Sequence, residues 1–260
     1  MFHRILIPTD FSTASEWVFD DAIRIAGAGG GELLIVHVRM TRTSQPGELR
    51  FPADPSLYEY AEREELERLR RRVRNANASL NTRLIVRQGP HPGAEICATA
   101  KEERADLIVI STHARHHVAH LFVGSTTHSV LADPPCPVLA IRYGIRKRQS
   151  MKRIVVPVHL EQQSRSALDL AAREGEELHL VNVCDEDDTT RAESLLKELA
   201  GPLPNARTTV LQGSDAQKEI VRYATRTDAD AIFLNANNEP SEGKLEIVRH
   251  APSPVMIVPE

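Results

Sequence analysis

An internal repeat is the feature that most limits how this chain can fold. The segment RILIPTDFSTAS at residues 4–15 returns as RIVVPVHLEQQS at residues 153–164, and residues 87–111, RQGPHPGAEICATAKEERADLIVIS, return as LQGSDAQKEIVRYATRTDADAIFLN at residues 211–235. The period is much longer than the roughly 20–50 residues of a solenoid repeat. We therefore predict two similar domains in tandem.

The repeat also predicts where the chain divides. The first domain is expected over residues 1–143 and the second over residues 151–260, joined by the short polar linker YGIRKRQSM at residues 143–151. Each copy presents the same order of segments. One copy is therefore enough to predict the fold of both.

Within a copy, short apolar runs alternate with longer helical patterns. The first copy predicts strands near residues 3–8, 32–38, 83–87, 106–111 and 137–142, with helices near 13–28, 56–79, 92–104 and 125–132. Runs such as LLIVHV are apolar at nearly every position, which indicates strands that are buried on both faces. We predict an α/β fold of two tandem Rossmann-like domains, each an open parallel five-stranded sheet flanked by helices.

Charge and composition exclude several classes of partner. A formal net charge of -4 over 260 residues gives no broad attraction to nucleic acid or to an anionic membrane. The basic run RLRRRVR falls in the second helical segment, where Glu64/Arg68 and Glu67/Arg71 have i, i+4 spacing, so we interpret it as a solvated helix face. No apolar run approaches the roughly 20 residues of a membrane span, and the three cysteines form no CxxC pair. We expect a cytoplasmic protein.

Parallel sheets bind ligands beyond the carboxyl ends of their strands, where the strand order reverses. After the first predicted strand, the carboxylate of Asp10 in PTDFS could accept hydrogen bonds from a ribose hydroxyl or an adenine amine. Alternatively, Asp10 caps the following helix, for which Ser12 and Thr13 are the other candidates. The residue types leave both roles open.

The segment STHARHHVAHLFVGSTTHSV at residues 111–130 follows the fourth predicted strand. Gly124 permits close approach of a ligand to the main chain, and Ser125, Thr126 and Thr127 begin a helix whose free N–H groups and hydroxyls favour an anion. Many helices begin with Gly-Ser without binding anything. The pattern therefore indicates a phosphate site only in combination with Asp10.

Histidines in the same segment raise a metal alternative. His113/His117 and His116/His120 have the i, i+4 spacing at which two imidazoles on one helix face bind zinc once a third ligand is supplied. The segment from 111 to 124 contains no carboxylate or cysteine, and it has the pattern of a loop more than of a helix. We interpret these histidines as surface or phosphate-neighbouring groups, with a metal site as the lesser alternative.

Taken together, these segments resemble the universal stress protein family in its tandem form. The resemblance covers RILIPTDFS, LLIVHV, ADLIVISTHAR and GSTTHSVLADPPCPVLAIR in the first copy, and the second copy more weakly. It implies a Rossmann-like sheet of five parallel strands. One branch of the family binds ATP through a Gly-x-x-Gly, nine residues, Gly-Ser/Thr motif. That spacing is kept here, but Ser111 and Ala114 replace the first two glycines before Gly124 and Ser125.

The resemblance implies a nucleotide site in the first domain. Adenosine would contact Pro8, Thr9, Asp10 and the main chain of Val38, and the phosphates of ATP, with Mg²⁺, would lie against Gly124, Ser125, Thr126 and Thr127. Ser111 and Ala114 would forbid close approach only if the main chain needed a positive φ there. In the second domain His159 replaces Asp10 and residues 235–254 contain no phosphate loop. That domain is expected to be degenerate.

By resemblance, the protein is a stress-response binding module in which ATP acts as a conformational switch towards an unidentified protein partner. At most slow ATP hydrolysis is expected, because no P-loop lysine or evident base is present. The alternative is a nucleotide-free scaffold whose His-rich loop binds a partner, a small ligand or a metal. The strands PVLAIR (137–142) and PVMIVP (254–259) are expected to pair, giving an intramolecular pseudo-dimer that could dimerise again.

Overall fold

The computed structural model describes residues 2–40, 55–112, 123–145, 150–161, 164–236 and 241–260. In its first half the elements are β1 (Arg4–Thr9), α1 (Thr13–Trp17), α2 (Phe19–Ala28), β2 (Glu32–Met40), α3 (Pro55–Ala76), β3 (Asn81–Gly89), α4 (Pro92–Glu102), β4 (Leu107–Ser111), α5 (Ser125–Ala132) and β5 (Val138–Ile141). In its second half they are β6 (Arg153–Pro157), α6 (Ser166–Glu174), β7 (Glu177–Cys184), a 3₁₀ turn (Glu186–Asp188), α7 (Thr189–Ala200), β8 (Ala206–Gln212), α8 (Ala216–Arg226), β9 (Ala231–Asn235), α9 (Ser241–His250) and β10 (Val255–Val258). The α/β alternation that the sequence predicts is confirmed in both halves.

The ten strands form one continuous sheet in the order β3-β2-β1-β4-β5-β10-β9-β6-β7-β8. Strands within each half are parallel. The halves meet where β5 pairs antiparallel with β10, with Leu139 opposite Met256. The expected pairing of the two C-terminal strands is confirmed. Because this pairing uses both inner edges, the two predicted open sheets merge into one.

Helices cover both faces of the sheet, as the apolar strands predict. One apolar cluster contains residues of α2, α3, α6 and α7, and the other contains residues of α4, α5, α8 and α9. Neighbouring strand residues alternate between them: Ile5 and Ile7 belong to the first cluster and Leu6 to the second. This alternation follows from the two-residue period of a strand.

Two local predictions need correction. The helix predicted over residues 13–28 is divided at Val18, whose ψ of -3° interrupts the regular helical geometry. On α3, the ion pairs that form are i, i+3, between Glu65 and Arg68 and between Glu67 and Arg70, rather than i, i+4. Even so, these arginines are partly exposed and ion-paired, which supports the solvated-face interpretation.

None of the helices in the described part of the chain offers the long uncharged apolar stretch that is needed to cross a bilayer.

Candidate functional site

The strand order reverses beside β1, because β2 and β3 lie on one side of it and β4 and β5 on the other. Ile5 pairs with Leu107 and Leu6 with Ile108, so the same register carries Thr9 to the level of Ser111. The carboxyl ends of β1 and β4 therefore meet at one point on the edge of the sheet. Asp10, directly after β1, and Gly124, directly before α5, flank this point.

Hydrogen bonds within the turn after β1 orient Asp10. Its Oδ1 accepts from the main-chain N–H of Ser12 at 3.0 Å and from the Ser12 hydroxyl at 2.5 Å. The hydroxyl of Ser12 in turn accepts from the N–H of Ser15 at 3.2 Å, so Ser12 is the N-cap of α1. The capping role considered for Asp10 is thus wrong, and its half-buried carboxylate is held at the strand end instead.

Phe11, the next residue, has a positive φ of 60°, which is uncommon for a residue other than glycine. This conformation places its ring against His37, with 4.4 Å between centroids and 29° between planes. The Nδ1 of His37 lies 2.9 Å from the carbonyl oxygen of Thr9. Since a carbonyl only accepts, Nδ1 carries the proton in this contact. Sequence analysis singled out neither Phe11 nor His37.

The far side of His37 faces a charged group on α3. Its Nε2 lies 3.7 Å from a carboxylate oxygen of Glu62, a residue that is only 6% exposed. Arg39 donates to both oxygens of Glu62 at 3.0 Å. A side hydrogen bond of this kind fixes the orientation of an imidazole.

Val38 presents main-chain groups just beyond the end of β1. The N–H of Glu32 donates to the carbonyl of His3, so the even-numbered residues of β2 direct their main-chain groups towards β1. β1 ends at Thr9, which is opposite His37. The N–H and C=O of Val38 therefore point into the space past that end, as one donor and one acceptor side by side.

Ser111, the last residue of β4, is 7% exposed and its hydroxyl oxygen has no hydrogen-bond partner. Among the described residues other than glycine, only Phe11, Arg104 and Asp228 have a positive φ. Ser111 thus occupies ordinary strand geometry, and replacing a glycine there costs no backbone strain. Ala114, the other replaced glycine, lies outside the described residues.

The start of α5 is anchored to the end of β4. The N–H of Gly124, the N-cap, donates to the carbonyl of Thr112 at 3.0 Å. The hydroxyl of Thr127 donates to the carbonyl of Ser111 at 2.8 Å, which turns it away from any phosphate. Of the three hydroxyls predicted to meet the phosphates, those of the exposed Ser125 and the half-exposed Thr126 remain, together with the N–H groups of the first turn.

The second half closes the same edge with its own side chains. Asn235 ends β9 as Ser111 ends β4, but its Oδ1 accepts from the N–H of Ala167 at 2.8 Å and its Nδ2 donates to the carbonyl of Ser164 at 3.2 Å. Lys244, buried in α9, donates its ammonium to the carbonyl of Ala236. These contacts draw β9, α6 and α9 together at the strand ends.

The histidines proposed as metal candidates, namely His113, His116, His117 and His120, lie outside the described residues. In the part of the chain that the structure describes, no group of three or more His, Cys, Asp or Glu side chains is arranged to hold a metal ion. The metal alternative gains no support from the described residues.

Comparison with known proteins places the chain in a family. The model of the universal stress protein family matches residues 1–142, more than half of the 260 residues. The chain belongs to the universal stress protein family. A universal stress protein of Thermus aquaticus is 33% identical over 142 residues, which are 55% of this chain and 100% of that one. One from Methanocaldococcus jannaschii is 26% identical over 144 residues, covering 55% and 83%.

A solved structure extends the likeness to both halves. The crystal structure of a universal stress protein from Archaeoglobus fulgidus superimposes with a TM-score of 0.75 at 20% identity, and the match covers 99% of this chain and 96% of that one. At this identity the match concerns the fold alone. It confirms the resemblance seen in the sequence and the Rossmann-like fold of the whole chain.

Proposed function

We propose that the first half of this universal stress protein binds ATP at the carboxyl edge of its sheet, and that the nucleotide acts as a conformational switch towards a protein partner in a cytoplasmic stress response. One observation carries the proposal. The carboxylate of Asp10, the main chain of Val38 and the first turn of α5 approach the same strand-order reversal, beside a buried Ser111 hydroxyl without a partner.

Each group suits one part of the nucleotide. The adjacent N–H and C=O of Val38 match the ring nitrogen and the amine of adenine. The carboxylate of Asp10 accepts from ribose hydroxyls, beside Pro8 and Thr9. The free N–H groups of α5 and the hydroxyls of Ser125 and Thr126 donate to phosphate oxygens, whose remaining charge Mg²⁺ would neutralise.

We further propose that the second half binds no nucleotide. Asn235 occupies its strand edge, and His159 stands where the first half has Asp10. Each chain is then a pseudo-dimer of residues 1–143 and 151–260 with one working site. A surface that changes with nucleotide would serve a protein partner or a second copy of the chain.

The proposal is of a binding protein rather than of an enzyme. Among the described residues that approach the edge, Asp10 is the only carboxylate and no lysine accompanies it. Asp10 is already oriented by Ser12, so a water molecule has no free base beside the expected position of the phosphates. At most slow hydrolysis is expected.

Titration calorimetry of the full chain with ATP in magnesium buffer tests the proposal. We expect binding at one site per chain, with GTP binding more weakly because its ring edge reverses the donor and acceptor opposite Val38. Mass spectrometry of small molecules released on denaturation should reveal retained adenine nucleotide. The absence of both titration heat and retained nucleotide would overturn the proposal in favour of a nucleotide-free scaffold.

A further inference from the structure

We infer that His37 is a positioning residue for the nucleotide site: its hydrogen bond to the carbonyl of Thr9 and its stack on Phe11 hold Asp10 in place for adenosine. The inference rests on the proposed function. His37 lies at the end of β2 and is 6% exposed. It therefore acts from beneath the site rather than by touching the ligand.

The first contact fixes the residue before Asp10. Nδ1 of His37 donates to the carbonyl oxygen of Thr9 at 2.9 Å, across the last paired position of β1 and β2. That carbonyl belongs to the peptide unit whose nitrogen is the amide of Asp10. Holding it sets the direction in which Asp10 leaves the strand.

The second contact fixes the residue after Asp10. A positive φ costs a residue with a side chain roughly 1–2 kcal/mol, and Phe11 adopts a φ of 60°. Its ring stacks on the imidazole of His37 at 4.4 Å, a contact that offsets this cost. Both neighbours of Asp10 therefore rest on one side chain.

Neighbouring charges hold the imidazole itself. Nε2 of His37 faces Glu62 of α3 at 3.7 Å, and Arg39 fixes both oxygens of that carboxylate while also donating to Glu59. The ring cannot flip without losing either the Thr9 bond or this contact. His37 also directly precedes Val38, so one residue supports both groups expected to bind adenosine.

The second half supplies an internal comparison. Asn182 of β7 occupies the corresponding place, and its Nδ2 donates to the carbonyl of Val158 at 2.6 Å. An amide can thus make the same main-chain bond. In that half the following residue is His159, so the bond supports no carboxylate. Asparagine is therefore the natural conservative replacement for His37, and Asn182 is the matched control site.

The test compares ATP affinity by calorimetry and thermal unfolding for the full chain and three variants. We expect His37→Ala to weaken ATP binding by about tenfold or more, the equivalent of roughly 1.4 kcal/mol. His37→Asn should bind within about threefold of the wild type, because the amide restores the bond to Thr9. Asn182→Ala removes the same bond from the second half and should bind ATP as the wild type does.

Each other outcome is informative. Wild-type affinity in His37→Ala overturns this inference and leaves the proposed function standing. Equal weakening in Asn182→Ala assigns the effect to general stability and also overturns it, as does an equal loss in His37→Asn and His37→Ala. If His37→Ala does not fold, His37→Leu keeps the volume without the donor and takes its place. Absence of ATP binding by the wild type overturns the proposed function, and this inference with it.

Discussion

The side chain of Asn235 accepts a hydrogen bond from the main-chain N–H of Ala167 at 2.8 Å. This bond ties the end of β9 to the first turn of α6, at the place where an anion would otherwise meet the edge of the second half. The corresponding residue in the first half is Ser111, whose hydroxyl has no partner. The same position thus serves the fold in one half and remains open to a ligand in the other.

We expect Asn235→Ala to lower the free energy of unfolding by about 1–3 kcal/mol, because the buried N–H of Ala167 loses its acceptor. The matched variant Ser111→Ala removes a hydroxyl that bonds nothing, and should change stability by less than about 0.5 kcal/mol. Urea denaturation of both variants measures the difference. Equal stability losses would contradict the distinct roles assigned to the two positions.

The charge of Asp10 can be removed without disturbing its turn. Asp10→Asn keeps an oxygen that accepts from Ser12, so we expect wild-type stability together with at least about tenfold weaker ATP binding by calorimetry. His159→Ala, at the same place in the second half, is the control and should bind normally. Loss of binding in His159→Ala alone would reverse the assignment of the two halves.

Gly124 can be substituted without backbone strain. Its φ of -61° and ψ of 150° are open to any residue, so Gly124→Val should fold. We expect its branched side chain to block the approach of phosphates to the first turn of α5 and to abolish ATP binding. Circular dichroism checks the fold and calorimetry the binding. Unchanged affinity would place the phosphates elsewhere.

Cys136 should be chemically inert in the native protein. Burial, with a smaller contribution from Asp106, raises the pKa of its thiol from 9.0 to about 12. Because only the thiolate reacts, iodoacetamide at pH 8 should leave Cys136 unmodified until the protein is denatured, whereas the half-buried Cys184 reacts in the native state. Peptide mass spectrometry distinguishes the two sites.

The same pKa shift predicts how stability depends on pH. The folded state keeps Cys136 protonated while the unfolded chain loses this proton near pH 9, so the contribution of Cys136 to the free energy of unfolding declines as the pH rises from 9 towards 12. Cys136→Ala should show a shallower decline over that range. An identical pH dependence in the variant and the wild type would contradict the shifted pKa.

The strand pairing between the halves should couple their unfolding. Trp17, the only tryptophan, lies in α1 of the first half, while Met256 is fully buried in β10 of the second. Met256→Ala should cost about 2–5 kcal/mol, and we expect the denaturation midpoint reported by Trp17 fluorescence to fall with it. An unchanged Trp17 midpoint, with a second transition by circular dichroism, would show independent halves.

Sequence reasoning succeeded where consecutive residues carry the information. The repeat, the burial of LLIVHV on both sheet faces and the edge positions of Asp10 and Gly124 are local features, and the structure confirms them. The pairing of β5 with β10 was also expected, from family resemblance rather than from periodicity. The cap of α1 was left between Asp10 and its neighbours, because several residue types can occupy an N-cap.

What only the tertiary structure decided are contacts between residues far apart in the chain. His37 meets Thr9, Thr127 meets Ser111, and Asn235 meets Ala167, across 28, 16 and 68 positions. The sequence by itself determined which strands and helices form and which polar groups end up at the edge of the sheet. Strand register and helix placement then decided which of these groups bond each other and which stay open to a ligand, because a hydrogen bond requires two atoms within about 3 Å of each other.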